Sequence, residues 1–267
     1  ERTSKTSSTN TPTIPPSLSF RVTAGQPPGR HGATPALRHL AEKCRCEAIS
    51  TSVGQAASTA GSVMTSHTCD GRYRTWLEVV PAMKFERDTV HHVYWGTLQT
   101  EAAWDMTNVT HKGEIPEVKS TYAFLSTAYP CLNEKQLAIG ETTIYGRQEL
   151  INTDGLFLIE ELEKIALQRC TTARQAIALI GSLAEQYGYG DMAECITLAD
   201  PKEVWQLEIA GSGPGKPSSL WVAQRIPDDH VGIAANIPRI SDVKFNDPDH
   251  FMTSKDLRKK AKDLGYW

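Results

Sequence analysis

Two apolar-rich runs, Tyr122–Thr127 and Gln136–Thr143, flank a polar stretch at Pro130–Lys135, a pattern that predicts a buried hairpin. Pro130, Asn133 and Glu134 supply its turn chemistry. Beyond it the apolar period lengthens from that of a strand to that of a helix. Leu156–Arg169 sets Ile159, Leu162 and Ala166 at helical spacing, with Glu160, Glu161 and Glu163 near its start, where the helix dipole favours anions. Thr172 and Gln175 have the spacing of a capping box, which predicts a second helix running to about Tyr187. That helix buries Ile177, Ile180 and Ala184 and stops at Gly188. Val63–Ser66, Arg72–Ala82 and Val90–Tyr94 are strand-like before the hairpin. Glu194–Ala199, Glu203–Ile209, Leu220–Gln224 and Val231–Asn236 are strand-like after the helices. Ala103–Glu114 is polar and turn-rich and carries the sequon Asn108-Val109-Thr110, which matters only in a secretory pathway. Strands, then two helices, then more strands predict layered sheets covered by helices, an α+β fold.

Composition narrows the function classes. With 267 residues, 40% of them hydrophobic and 22% charged, the chain suits one large domain with an extension. A net charge of −3 argues against a dedicated nucleic-acid binder. No apolar run is long enough to span a bilayer, so a membrane partner is not expected. The six cysteines lack paired zinc spacing, and the histidines show no metal-ligand spacing either, His91-His92 being a bare pair on a strand. The glycines of Gly211–Pro217 lack the strand-to-helix context of a phosphate cradle. Residues 1–43, rich in Ser, Thr, Pro and Arg with only Glu1 and Glu42 acidic, form an expected disordered or non-native extension to a domain at 44–267. The extension also has the look of an organelle transit peptide, or of upstream translation. A cytoplasmic location is expected over a secreted one.

CLNEKQLAIGETT (Cys131–Thr143), HTCDGRYRTWLEVVPA (His67–Ala82), KGEIPEV (Lys112–Val118), LFLIEELEKIALQRCTTARQAI (Leu156–Ile177) and RIPDDHVGIAANIPRI (Arg225–Ile240) follow one another along the chain. In this order they resemble the PepD-type dipeptidases, cysteine peptidases of the N-terminal-nucleophile hydrolase superfamily, over about residues 53–267. The resemblance implies an α-β-β-α sandwich, incomplete here because the family continues well past Trp267. It implies hydrolysis of short peptides through a cysteine that is the first residue of the mature chain. The α-amino group, titrating near about pH 8, acts as base; an acyl-enzyme forms and water releases it, with no metal or cofactor.

Val53-Gly54, Ala57-Ser58 and Gly61-Ser62 match the family pattern that follows the nucleophile, whereas Ala60 replaces its Asp. The family's cysteine position falls on Ala48, and the nearest thiol is Cys46, two residues out of register. Cys46 is the candidate nucleophile, and cleavage of Arg45–Cys46 would free its amine. By the same resemblance Asp70 orients the amine and thiol, Asn133 donates to the oxyanion, and Asn236 holds the nucleophile's amino group or the intermediate. Asn133 and Asn236 are therefore expected to converge on one cleft. Arg225, Asp228, Asp229 and His230 are candidates for the substrate's charged ends, against an alternative role in surface ion pairs. A short peptide is the expected partner, and homo-oligomerisation is left open. The rival readings are an acylase cutting a non-peptide amide and a catalytically silent fragment serving as an interaction module.

Overall fold

The computed structural model describes residues 48–69, 76–99 and 105–266. The extension at 1–43, Cys46 and Asp70 lie outside the described residues. Thirteen strands and three helices of five or more residues make a sheet-rich α+β fold among the described residues. None of these helices is long and apolar enough to cross a membrane.

The central hairpin is a three-strand meander. β6 (Phe124–Ser126), β7 (Pro130–Asn133) and β8 (Ala138–Thr143) pair antiparallel in order. The stretch read as turn from Pro130 thus contains a strand. Pro130 stands at its first position, where a missing N–H costs least. The turn proper follows Asn133, with Gln136 in the left-handed region at φ 65°. β8 continues into an eight-stranded sheet through β9 (Ala193–Ala199), β10 (Val204–Gly211), β11 (Ser219–Ile226) and β13 (Phe251–Thr253). On the other side β6 pairs with β3 (Glu78–Val80).

The two faces of this sheet are covered differently. On one, Ile139, Ile196, Leu198, Leu207 and Ile209 pack against α1 (Ile159–Arg169) and α2 (Ala173–Tyr187). On the other lies a three-stranded sheet of β12 (Val231–Ala234), β1 (Ser50–Val53) and β2 (Met64–His67). β1 and β2 cross over β8 and β9. Where the two sheets meet, the His67 ring lies over Gly140, so that a Cβ there would stand 2.5 Å from Nδ1. The result is helix, sheet, sheet in three layers. α3 (Leu257–Asp263) sits against β11.

Thr172 caps α2 as expected, its Oγ1 accepting from the Gln175 N–H. The return bond is displaced by one residue: Gln175 Oε1 accepts from Thr171 N at 3.0 Å. The acidic first turn of α1 is buried. A two-stranded arm, β4 (Val90–Trp95) and β5 (Thr110–Pro116), covers the helix from outside. From this arm His91 bonds Glu117 at 3.0 Å and Glu161 at 2.6 Å, while Arg169 donates to Glu117 at 2.8 Å. β5 was hidden in a run read as polar and turn-rich, since Ile115 is its sole buried side chain.

Candidate functional site

Asn236 follows β12 with φ 53°, a left-handed conformation that Asn adopts more readily than most residues. Its Oδ1 accepts from the Ala48 N–H at 2.9 Å and its Nδ2 donates to the Thr143 carbonyl at 2.8 Å. One amide therefore ties the chain entering β1 to the end of β8, across both sheets. Beside it the Ser50 and Thr142 hydroxyls lie 2.6 Å apart, and Thr68 Oγ1 accepts from Ile49 N. Ser50 pairs with His67 across β1 and β2, and burial lowers the His67 pKa, favouring a neutral ring.

A groove of about 450 Å³ opens next to this corner, within the size range of small-ligand pockets. Ile144, next after Thr143, lines it, as do Ala193, Ile209, Trp221 and Ile240. Glu208 reaches into it and accepts from the backbone N–H groups of Ile240, at 2.9 Å, and Arg239. Those two bonds fix the segment just after Asn236. Burial raises the Glu208 pKa, against the pull of the two N–H groups.

Asn133 lies at the other end of β8. Leu132 pairs with Ala138, whereas Asn236 bonds Thr143, so about 17 Å of strand separates the two places. Nor is the Asn133 side chain available to an oxyanion. It is buried, donates to the Leu167 and Cys170 carbonyls at 2.8 and 2.9 Å, and accepts from Lys135 N and Leu137 N at 3.0 Å each. It fastens the hairpin turn to the C-terminus of α1. The expected convergence of Asn133 and Asn236 is overturned.

Arg225, Asp228 and His230 also lie away from Asn236. Arg225 pairs with Trp205 at the Ala138 end of the large sheet and sits in an ion-pair chain, with Glu203 at 3.2 Å and Asp228 at 2.6 Å. His230 precedes Val231, which pairs with Val53 at the end of β1 opposite Ser50. Its ring is exposed and bonds Asp229 at 2.6 Å. All four are engaged in ion pairs, with one another or with Glu203.

The residue whose N–H Asn236 holds is Ala48, which has no thiol and is buried. Of the four described cysteines Cys69 is exposed, whereas burial raises the pKa of Cys131, of Cys170 to about 12, and of Cys195, so these three thiols stay protonated near neutrality. His67 and Glu208 were missed in the sequence. His67 stands in the same HTCDG motif as Asp70, while Glu208 lies in a strand with no local signal.

Comparisons with known proteins bear on this corner. The model of Peptidase family C69 matches residues 46–267, beginning at Cys46. A probable dipeptidase of Latilactobacillus sakei is 32% identical over 132 residues, covering 48% of this chain and 26% of that protein. Probable dipeptidase A of Streptococcus pyogenes serotype M1 is 24% identical over 212 residues, covering 77% of this chain and 43% of its own length. Probable dipeptidase B of Lactococcus lactis subsp. lactis is 36% identical over 99 residues, 37% of this chain and 19% of that protein. The chain spans less than half the length of these relatives. By the extent of the family match, it belongs to Peptidase family C69.

Proposed function

We propose that the chain is the N-terminal portion of a cysteine-type dipeptidase whose catalytic centre lies where Asn236 anchors the main chain entering β1. The observation that carries this reading is the bond from the Ala48 N–H to Asn236 Oδ1. An asparagine placed to hold a backbone nitrogen at the head of the first strand would hold a free amine equally well. The helix-sheet-sheet layering supports the α-β-β-α sandwich of N-terminal-nucleophile hydrolases, with its outer helical layer supplied by further chain. The names of the relatives support short peptides as substrates. In this scheme the Cys46 thiol gives its proton to its own α-amine and attacks the peptide carbonyl. The protonated amine passes the proton to the leaving amine as the C–N bond breaks, and water then releases the acyl group. Asp70 orients the pair, and the groove beside Ile144 receives the substrate. No cofactor takes part.

The silent-module reading is favoured by one observation: Asn236 holds Ala48, not a cysteine. The two readings part in a chain extended with the family's C-terminal portion. A form trimmed to begin at Cys46 should hydrolyse dipeptides, lose activity to iodoacetamide and to Cys46→Ala, and greatly exceed the untrimmed form. Folded protein that is inert from Cys46, yet gains activity when begun at residue 48 with Ala48→Cys, would establish the silent reading. Turnover of acylated amines in place of dipeptides would establish an acylase.

A further inference from the structure

The arm formed by β4 and β5 carries a second constellation, on the face turned away from α1. His92 Nδ1 lies 3.2 Å from His111 Nε2 and 3.0 Å from Glu114 Oε1, and His111 Nε2 lies 4.0 Å from the same carboxylate oxygen. The three ligand-type atoms lie within 4.8 Å of one another, and each residue is exposed.

A register irregularity creates this grouping. Val93 pairs with Gly113 and Tyr94 with His111, so Lys112 is the extra residue of a β-bulge. In a regular strand His111 and Glu114, three apart, point to opposite faces. The bulge turns His111 onto the face that already carries Glu114 and its cross-strand partner His92. Lys112 is diverted the other way, its Nζ 3.9 Å from the Trp95 ring centroid and 3.3 Å from the Thr153 carbonyl. The nearest cation on the arm is thus drawn off the cluster. Tyr94 flanks the group, its ring 5.2 Å from that of His111.

We propose that His92, His111 and Glu114 bind a divalent transition-metal ion of the zinc class. Two imidazole nitrogens and one carboxylate oxygen form the mixed donor set such ions prefer to the all-oxygen shells of Mg²⁺ and Ca²⁺. Ligands at about 2.0–2.1 Å around a tetrahedral ion stand about 3.3 Å apart, and the three observed separations bracket that value. The fourth position is left to water, on the solvent side. The site joins two strands that carry His91 and Glu117 onto α1, so the ion would brace the arm against the helix. It is separate from the Asn236 corner, and its test does not depend on peptidase activity.

The test is titration of the full chain with Zn²⁺ against a chromogenic chelator, repeated with Co²⁺ as a spectroscopic probe. One equivalent should bind in the micromolar range, with cobalt d–d bands and no thiolate charge-transfer band from that site. His92→Ala and His111→Ala should each weaken it at least about tenfold, since even the loss of an outer-shell partner costs that much. Glu114→Gln should weaken it less, and His250→Ala should leave it unchanged. Zn²⁺ should raise the melting temperature of the wild type and not that of the double His92→Ala/His111→Ala variant. Metal binding that survives the double variant, or that occurs only with a thiolate band, would overturn the proposal. So would a folded wild type that binds no equivalent.

Discussion

Asn133 and Asn236 were both given site roles by the family resemblance of the motifs in which they stand. The chemistry that separates them is saturation. All four hydrogen-bonding capacities of Asn133 are engaged with backbone groups of the turn and of α1. Such a residue holds structure. Asn133→Ala should therefore lower stability by about 2–4 kcal/mol in urea unfolding, because it strands buried backbone groups. Asn133→Asp should do no better, because its second carboxylate oxygen would face the Leu167 and Cys170 carbonyls where the amide nitrogen donates. A loss of turnover at unchanged stability would restore a catalytic role. Asn236 was legible because its motif named it. The His92–His111–Glu114 cluster was not, since two of its members stand 19 positions apart and a bulge that no spacing rule reveals turns them to one face.

At the scale of elements, periodicity located both long helices and most strands, and it failed where burial did not follow the simple rule. For α1 the sequence shows helical spacing and glutamates near the dipole-favoured start, and nothing about their burial. The helix is buried on nearly every side, between the sheet and the β4–β5 arm. Its Glu163 is wholly buried, with neither carboxyl oxygen hydrogen-bonded, and burial with the nearby Glu141 and Glu160 raises its pKa well above the ordinary 4.5. Burial raises Glu160 to about 8, and Glu141 and Glu194 share a hydrogen bond with both pKa values raised by burial. The folded state holds these protons while the unfolded chain releases them near the ordinary value. Their contribution to stability is complete below that value and is lost as pH rises through the folded pKa values, near about 8 for Glu160. Wild-type stability should decline from about pH 5 to pH 8, and Glu163→Gln should flatten the decline and stabilise the fold more at pH 8 than at pH 5. Parallel slopes for the two proteins in urea titrations at both pH values would contradict this. The strands β1, β5, β7 and β13 escaped the sequence reading because each buries only one or two side chains.

For the whole molecule, the alternation of strands and helices sufficed for an α+β class. The stacking of one sheet on another did not follow from periodicity, because an antiparallel sheet reads the same whether its second face meets water or another sheet. Motif order, through family resemblance, supplied that expectation. The proposed division at residues 43 and 44 can be tested directly. If that division holds, limited proteolysis should remove residues 1–43 and spare the chain beyond about Ile49. Equal resistance of the two parts would refute the boundary.

The bond between Ala48 and Asn236 joins positions 188 residues apart. Read in time and not in space, it sets a schedule. β1 emerges from the ribosome first among the described strands, yet one of its partners, β12, and the side chain that fixes its head are among the last to appear. At about 5–20 residues per second, an interval on the order of ten to forty seconds passes during which β1 can pair with β2 but not with β12. Helices and the meander can form within that interval from local contacts, whereas the corner at Asn236 must wait for long-range closure. Its assembly is thus coupled to the completeness of the chain, so an unfinished polypeptide does not carry this corner formed.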